Sequence, residues 1–144
     1  MIKGSCLCQG VRFELNRIIG PFELCHCSRC RKVSGSAFMA AVGVESADFK
    51  MLQGAELVVS YTAPLLQKAP AYQVNFCKIC GCSVPHPRPH ERWFEIAAGL
   101  LDDPIPLNPD KHIYIEHGAN WWQIKDELPQ YDATTLAALR GLQD

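Results

Sequence analysis

Apolar and polar residues alternate with a period of two in several stretches of the chain. Val11, Phe13 and Leu15 are separated by Arg12 and Glu14, and His112-Ile113-Tyr114-Ile115-Glu116 repeats the pattern, as expected of strands with one face buried and the other in water. Runs rich in β-branched and aromatic residues at 37–44, 57–62, 72–77 and 93–98 predict further strands. Gln53-Gly54 and Asp103-Pro104 punctuate them as turns. One clear helix is predicted, over 132–140, where Asp132 caps Ala133-Thr134-Thr135-Leu136-Ala137-Ala138-Leu139-Arg140 and Gly141 stops it. A short helical turn can follow Cys27. Pro85-His86-Pro87-Arg88-Pro89 reads as an extended loop, because each proline fixes its own φ and pushes its predecessor out of the helical region. The expected fold is mainly β, with antiparallel sheets, long connections and a short C-terminal helix.

No linker-like segment divides the sequence, so 1–144 is expected to be a single domain, with a core of about 3–131 followed by the helix. A chain of 144 residues can bury roughly 70% of the surface it exposes when unfolded. The formal net charge of −1 supplies no global field towards nucleic acid or an anionic membrane. The one basic cluster, around Arg29, Arg31 and Lys32, is short and lacks interleaved aromatics. No apolar run approaches the ~20 residues of a membrane span, and MIKGSCLC lacks the apolar stretch of an export signal. The chain therefore reads as cytoplasmic, with neither nucleic acid nor membrane as a partner. In that compartment its eight cysteines are expected to serve metal or redox chemistry rather than structural disulfides.

The cysteines fall into three groups: Cys6-x-Cys8, Cys25-x-Cys27-x-x-Cys30, and Cys77-x-x-Cys80-Gly81-Cys82. Zinc takes thiolates in tetrahedral sets of four, and two short-spaced turns normally supply them. In one partition Cys6, Cys8, Cys77 and Cys80 close a structural site, stapling the first strand to the middle of the chain through a loop of about seventy residues. Cys25, Cys27 and Cys30 then hold a second zinc with one coordination position open to water or a substrate sulfur. In a second partition Cys82 is the fourth ligand of that ion, and both sites are closed. In a third the C-x-x-C pairs are redox-active dithiols.

These residues carry a resemblance. Gly4-Ser5-Cys6-Leu7-Cys8-Gln9-Gly10-Val11, Cys25-His26-Cys27-Ser28-Arg29-Cys30-Arg31-Lys32 with Gly35-Ser36-Ala37-Phe38, and Phe76-Cys77-Lys78-Ile79-Cys80-Gly81 resemble the glutathione-dependent formaldehyde-activating enzyme family. The similarity continues through Gly99-Leu100-Leu101-Asp102, Pro109-Asp110-Lys111-His112-Ile113-Tyr114, Trp121 and Asp126-Glu127-Leu128-Pro129-Gln130-Tyr131. The resemblance implies coiled antiparallel β-sheets organised around zinc, with two ions per chain. It places the structural ion on Cys6, Cys8, Cys77 and Cys80, and the second on Cys25, Cys27 and Cys30. It implies a carbon–sulfur lyase acting on glutathione, or a related thiol, and formaldehyde or another small aldehyde, forming S-hydroxymethylglutathione. Cys82 departs from the small residue expected after the C-x-x-C-G motif.

Around the second cluster, His26 is a candidate proton relay, and Arg29, Arg31 and Lys32 are candidates to hold the carboxylates of a glutathione-like thiol. Phe38, Trp93, Trp121 and Trp122 are candidate pocket walls, with one expected to touch substrate. His86, His90, His112 and His117 are expected at the surface or in packing. The rival to an enzyme is a non-catalytic, zinc-stabilised protein-binding module, which two closed sites would favour.

Overall fold

The structure is a computed structural model and describes residues 1–66 and 69–141. The chain enters as β1 (Ile2–Ser5), turns through the loop carrying Cys6 and Cys8, and returns antiparallel as β2 (Arg12–Leu15). The alternation read from the sequence is realised in β2, where Phe13 and Leu15 are fully buried and Arg12 is exposed. Next come β3 (Phe22–Cys25), the helix α1 (Ser28–Ser34), β4 (Met39–Glu45) and β5 (Phe49–Gln53). β6 (Val58–Thr62) and β7 (Gln73–Cys77) form an antiparallel pair, followed by β8 (Trp93–Ala97), β9 (Lys111–Ile113), β10 (Gln130–Tyr131) and α2 (Ala133–Leu139).

β1, β2 and β5 make one antiparallel sheet in the order β1-β2-β5, and a five-stranded sheet runs β10-β9-β3-β4-β8. The fold is mainly β, as expected. Antiparallel pairing is joined by two parallel ladders, β3 with β9 and β9 with β10. Parallel neighbours need a long crossover, and nearly all of the chain between β3 and β9 supplies it. The strand expected through Glu116 ends at Ile113, where Tyr114 turns to φ 54° and Ile115–His117 forms a 3-10 turn. No helix among the described residues is long and apolar enough to cross a membrane.

The two faces of the five-stranded sheet have different roles. Phe22, Val42, Val44, Phe94 and Ile96 face Phe13 and Leu15 of the smaller sheet and form the main core. Each large apolar side chain fully buried there contributes about 1.5–3 kcal/mol. Strand alternation puts Glu23 and Cys25 of β3, Glu95 of β8 and Lys111 and Ile113 of β9 on the opposite face. α2 packs on that face through Leu136, which is buried against Cys25 and Ile113. The predicted cap is present: the Asp132 side chain accepts from the Thr135 amide at 2.8 Å, and the Thr135 hydroxyl accepts from the Asp132 amide at 3.0 Å.

Gly54 links the β5–β6 connection to the first cysteine loop. It sits at φ +83°, and a Cβ there would lie 2.1 Å from the carbonyl oxygen of Gly10. Gly54→Ala is therefore expected to lose about 3 kcal/mol through left-handed strain and a backbone clash. Denaturant unfolding of the metal-loaded protein measures it; an unchanged midpoint would contradict the packing described.

Candidate metal centre

The first cluster joins the β1–β2 turn to the end of β7. Sγ atoms of Cys6 and Cys8 lie 3.6 Å apart, those of Cys8 and Cys77 3.8 Å, and all four ligand atoms of Cys6, Cys8, Cys77 and Cys80 fall within 4.8 Å of one another. Zinc–sulfur bonds of about 2.3 Å at tetrahedral angles put sulfurs about 3.8 Å apart, so the donor set fits such an ion. Backbone amides already serve the sulfurs. Val11 donates to Cys6 Sγ at 3.3 Å, and the amides of Cys8 and Cys82 pull the Cys80 thiol down to about 6. Cys6 and Cys77 are buried while Cys8 is exposed, so the cluster spans core and surface. Cys82 stands beside this group, packed against the cluster of Cys6, Val11, Cys77 and Val84, with its thiol directed to the carbonyl of Ser83 at 3.6 Å.

The second cluster forms where β3 runs into α1. Cys25 is the last residue of β3, Cys27 caps α1 and Cys30 lies in its first turn. The Cys27 sulfur accepts the Cys30 amide at 3.4 Å, and Gly35 closes the helix in the left-handed conformation. The three sulfurs lie within 4.8 Å of one another, and no fourth Cys, His, Asp or Glu joins them among the described residues. Their acidities are divided. Hydrogen bonds from Cys25 and Cys30 hold the Cys27 thiol far below its usual range, while Cys25 is pushed up to about 12 by Cys27, and Cys30 is also raised, by Cys25 and Cys27. Three sulfurs this close cannot all carry negative charge unless a cation is among them, so this set too fits a divalent ion.

A cavity of about 560 Å³ opens on the second cluster, with Cys25, Cys27 and Cys30 in its wall beside Tyr72, Glu95 and Arg140. A second cavity of about 380 Å³ shares Cys30, Tyr72 and Glu95 with it. Of the three predicted cations, Arg29 lines the larger cavity. It donates to the Pro64 carbonyl at 2.8 Å and lies over the Tyr72 ring at 5.4 Å. Arg31 and Lys32 line neither cavity, since successive helix positions point in different directions. Trp93 lines the smaller cavity, whereas Phe38 and Trp122 pack around His26, and Trp121 is exposed. His86 lines the smaller cavity and His117 the larger. Burial, then the neighbouring thiols, hold the Tyr72 phenol above its usual range.

Glu23, Tyr72, Glu95 and Arg140 escape a reading by motif. Glu23 is 1% exposed and is held by Arg140 at 2.6 and 2.9 Å, with Lys111 at 3.6 Å. A carboxylate within the run Phe22-Glu23-Leu24-Cys25, whose four residues are all buried, is the signal that could have drawn attention to it.

His26 points away from the cysteines beside it. Its Nε2 lies 2.7 Å from Nδ1 of His112, whose Nε2 lies 3.0 Å from Asp126. Both imidazoles are buried, in an aromatic cluster with Phe38 and Trp122. This chain fastens the end of β3 to β9 and to the loop before β10. Burial, and then His112, keeps the His26 pKa below its usual value, and hydrogen bonds from His112 and the Leu128 amide hold the Asp126 carboxyl below the usual carboxylate range. A carboxyl with a lowered folded pKa stabilises the fold above its unfolded pKa, and that stability is lost as pH falls through the folded value. Asp126→Asn is therefore expected to melt below the wild type at pH 7, with the gap closing towards pH 3. Thermal melts across that range test it, and a gap that persists in acid would contradict it.

The chain is similar to known proteins. A Halomonas elongata protein, provisionally named a glutathione-dependent formaldehyde-activating enzyme, is 30% identical over 133 residues, covering 87% of this chain and 82% of that protein. The crystal structure of a Rhodobacter sphaeroides protein matches with a TM-score of 0.52 at 23% identity, over 89% of this chain and 98% of that one, a likeness of fold alone. The family model described as "Glutathione-dependent formaldehyde-activating enzyme" matches residues 1–117, and the chain belongs to that family.

Proposed function

We propose that this protein is a zinc-dependent carbon–sulfur lyase that joins glutathione, or a related thiol, to formaldehyde or another small aldehyde, and reverses the reaction. The observation that carries the reading is the three-sulfur cluster in a cavity wall with no fourth protein ligand among the described residues. A zinc ion held by Cys25, Cys27 and Cys30 would take the substrate sulfur in its remaining position and keep it as a thiolate at neutral pH, poised to attack a carbonyl carbon.

The chain's own residues supply the rest of the site. A cavity of about 560 Å³ lies within the range of roughly 300–1,000 Å³ that buries a drug-sized ligand, ample for a tripeptide thiol. Arg29 spends one nitrogen on the Pro64 carbonyl and keeps other N–H donors for a substrate carboxylate. Arg140, fixed by Glu23, adds positive charge to the same wall. Ala133 and Arg140 of the α2 segment, with Pro70, Ala71 and Tyr72, line the cavity beside the cluster. The first cluster has the complement of a structural zinc, since four thiolates leave no open position and little Lewis acidity. Cys82, which a closed second site would need, lies beside the first cluster, and this favours the enzyme over a binding module.

Two variants separate the roles. A structural zinc contributes about 10–16 kcal/mol, comparable to the whole stability of about 5–15 kcal/mol typical of a folded protein, so Cys77→Ser is expected to abolish the fold. Cys27→Ser is expected to keep the fold, drop from two zinc ions to one and lose the acceleration of thiol–aldehyde adduct formation over the spontaneous rate. Metal analysis, circular dichroism and adduct kinetics on the zinc-loaded protein check this. A wild type that neither speeds adduct formation nor binds glutathione in calorimetry would sink the reading.

A further inference from the structure

The reaction proposed above creates a hydroxyl from a carbonyl oxygen, and an oxygen that gains charge as the C–S bond forms needs a proton. The thiols cannot provide it if they are bound to metal, and His26 points away from the cavity. Resting on that functional reading, we propose that Glu95 is the proton-carrying group of the cavity and delivers its proton to the aldehyde oxygen.

Three observations place it there. Glu95 lies on the wall that the two cavities share, together with Cys30 and Tyr72, so its carboxyl group opens on the same space as the cluster. It occupies the same face of the five-stranded sheet as Cys25 and Glu23, on β8, two residues from Trp93 and Ala97 and out of register with the buried Phe94 and Ile96. Its neighbour Glu23 is fully buried and held by Arg140 and Lys111. Two carboxyl groups side by side disfavour a second negative charge, and Glu95 is the one of the pair that faces the cavity.

Among the described residues, loss of water on its protein-facing side, Glu23 on β3 and Cys27 at the start of α1 favour the proton on Glu95, while Arg140 at the end of α2 opposes it. Tyr72 stays a neutral phenol, and Lys111 is turned to Glu23 and Asp110. Glu95 is exposed where it opens on the cavity, and loss of water on its protein-facing side, followed by Glu23, lifts it to about 7. An acid near the working pH is suited to give and regain a proton.

The step balances without an oxidant or reductant. An electron pair on the substrate sulfur forms the C–S bond, the carbonyl π pair moves to oxygen, and the proton of Glu95 completes the hydroxyl. The proton shed by the next thiol on entering the site returns to Glu95. In reverse, the Glu95 carboxylate takes the hydroxyl proton as the C–S bond breaks.

Zinc-loaded wild type, Glu95→Gln and Glu95→Asp test the proposal by two readouts. In infrared difference spectra the wild type is expected to show a protonated carboxyl band at pH 6 that fades as pH rises through about 7 and is missing from Glu95→Gln. In adduct kinetics with glutathione and formaldehyde, Glu95→Gln is expected to lose roughly 100-fold in rate, within the usual contribution of a positioned acid, while keeping its zinc and its glutathione affinity. Glu95→Asp should recover part of the rate. No carboxyl band, a band that survives in Glu95→Gln, or equal rates in wild type and Glu95→Gln would each overturn the assignment. A wild type that shows the band but no acceleration overturns the functional reading and the delivery step with it, and so is distinct from a failure of Glu95 alone.

Discussion

Four thiols from two distant segments meet at one point, and the arrangement of the chain follows from that meeting. Cys6 and Cys8 belong to the first turn, Cys77 and Cys80 to the end of a hairpin some seventy residues on, yet their ligand atoms lie within 4.8 Å of one another. Bringing them together costs loop-closure entropy that grows only slowly with length, so one strong ion can offset it. The buried pair, Cys6 and Cys77, ties the small three-stranded sheet to the β6–β7 hairpin. The connection within that hairpin carries Tyr72, which helps to wall the second cluster. An ion on the first cluster would therefore shape the site that it does not enter.

The second level of organisation is strand alternation. A single five-stranded sheet turns its large apolar residues towards the smaller sheet and gives its other face to Glu23, Cys25 and Glu95. That face carries only the small buried cluster of Cys25, Ile113 and Leu136, which leaves places beside it for charged residues. Such a residue can be recruited to a cavity, and α2 closes over the group through Leu136 and Arg140. The histidines follow the same rule in the opposite sense. His26 is next to two cysteines in sequence but on the other side of the backbone, where it meets His112 and Asp126 and fastens strands together.

Much of this was legible in the amino-acid order. Cysteines two and three residues apart are close in any turn, so the membership of the pairs could be read directly, and the Asp132 cap and the β2 alternation carry local signals that tertiary contacts do not override. Which pair meets which is a non-local matter, and the spacing left open that Cys82 closes the second site; the structure instead seats it beside the first cluster. β3 was hidden because all four of its residues are buried and so show no alternation. Glu95 was hidden for the reverse reason, since a charged residue between Phe94 and Ile96 looks like any solvent-facing strand position. Arg31 and Lys32 were grouped with Arg29 by sequence proximity, and the helix separates them.

The proposed function needs one asymmetry: the first cluster would enclose its ion, and the second would leave a position for substrate. X-ray absorption at the zinc edge of the fully loaded protein, compared with and without glutathione, reads it directly. The account predicts one ion surrounded by four sulfurs and the other by three sulfurs and a lighter atom, with glutathione replacing that atom by a fourth sulfur. Two all-sulfur ions before any thiol is added, unchanged when it is, would contradict it.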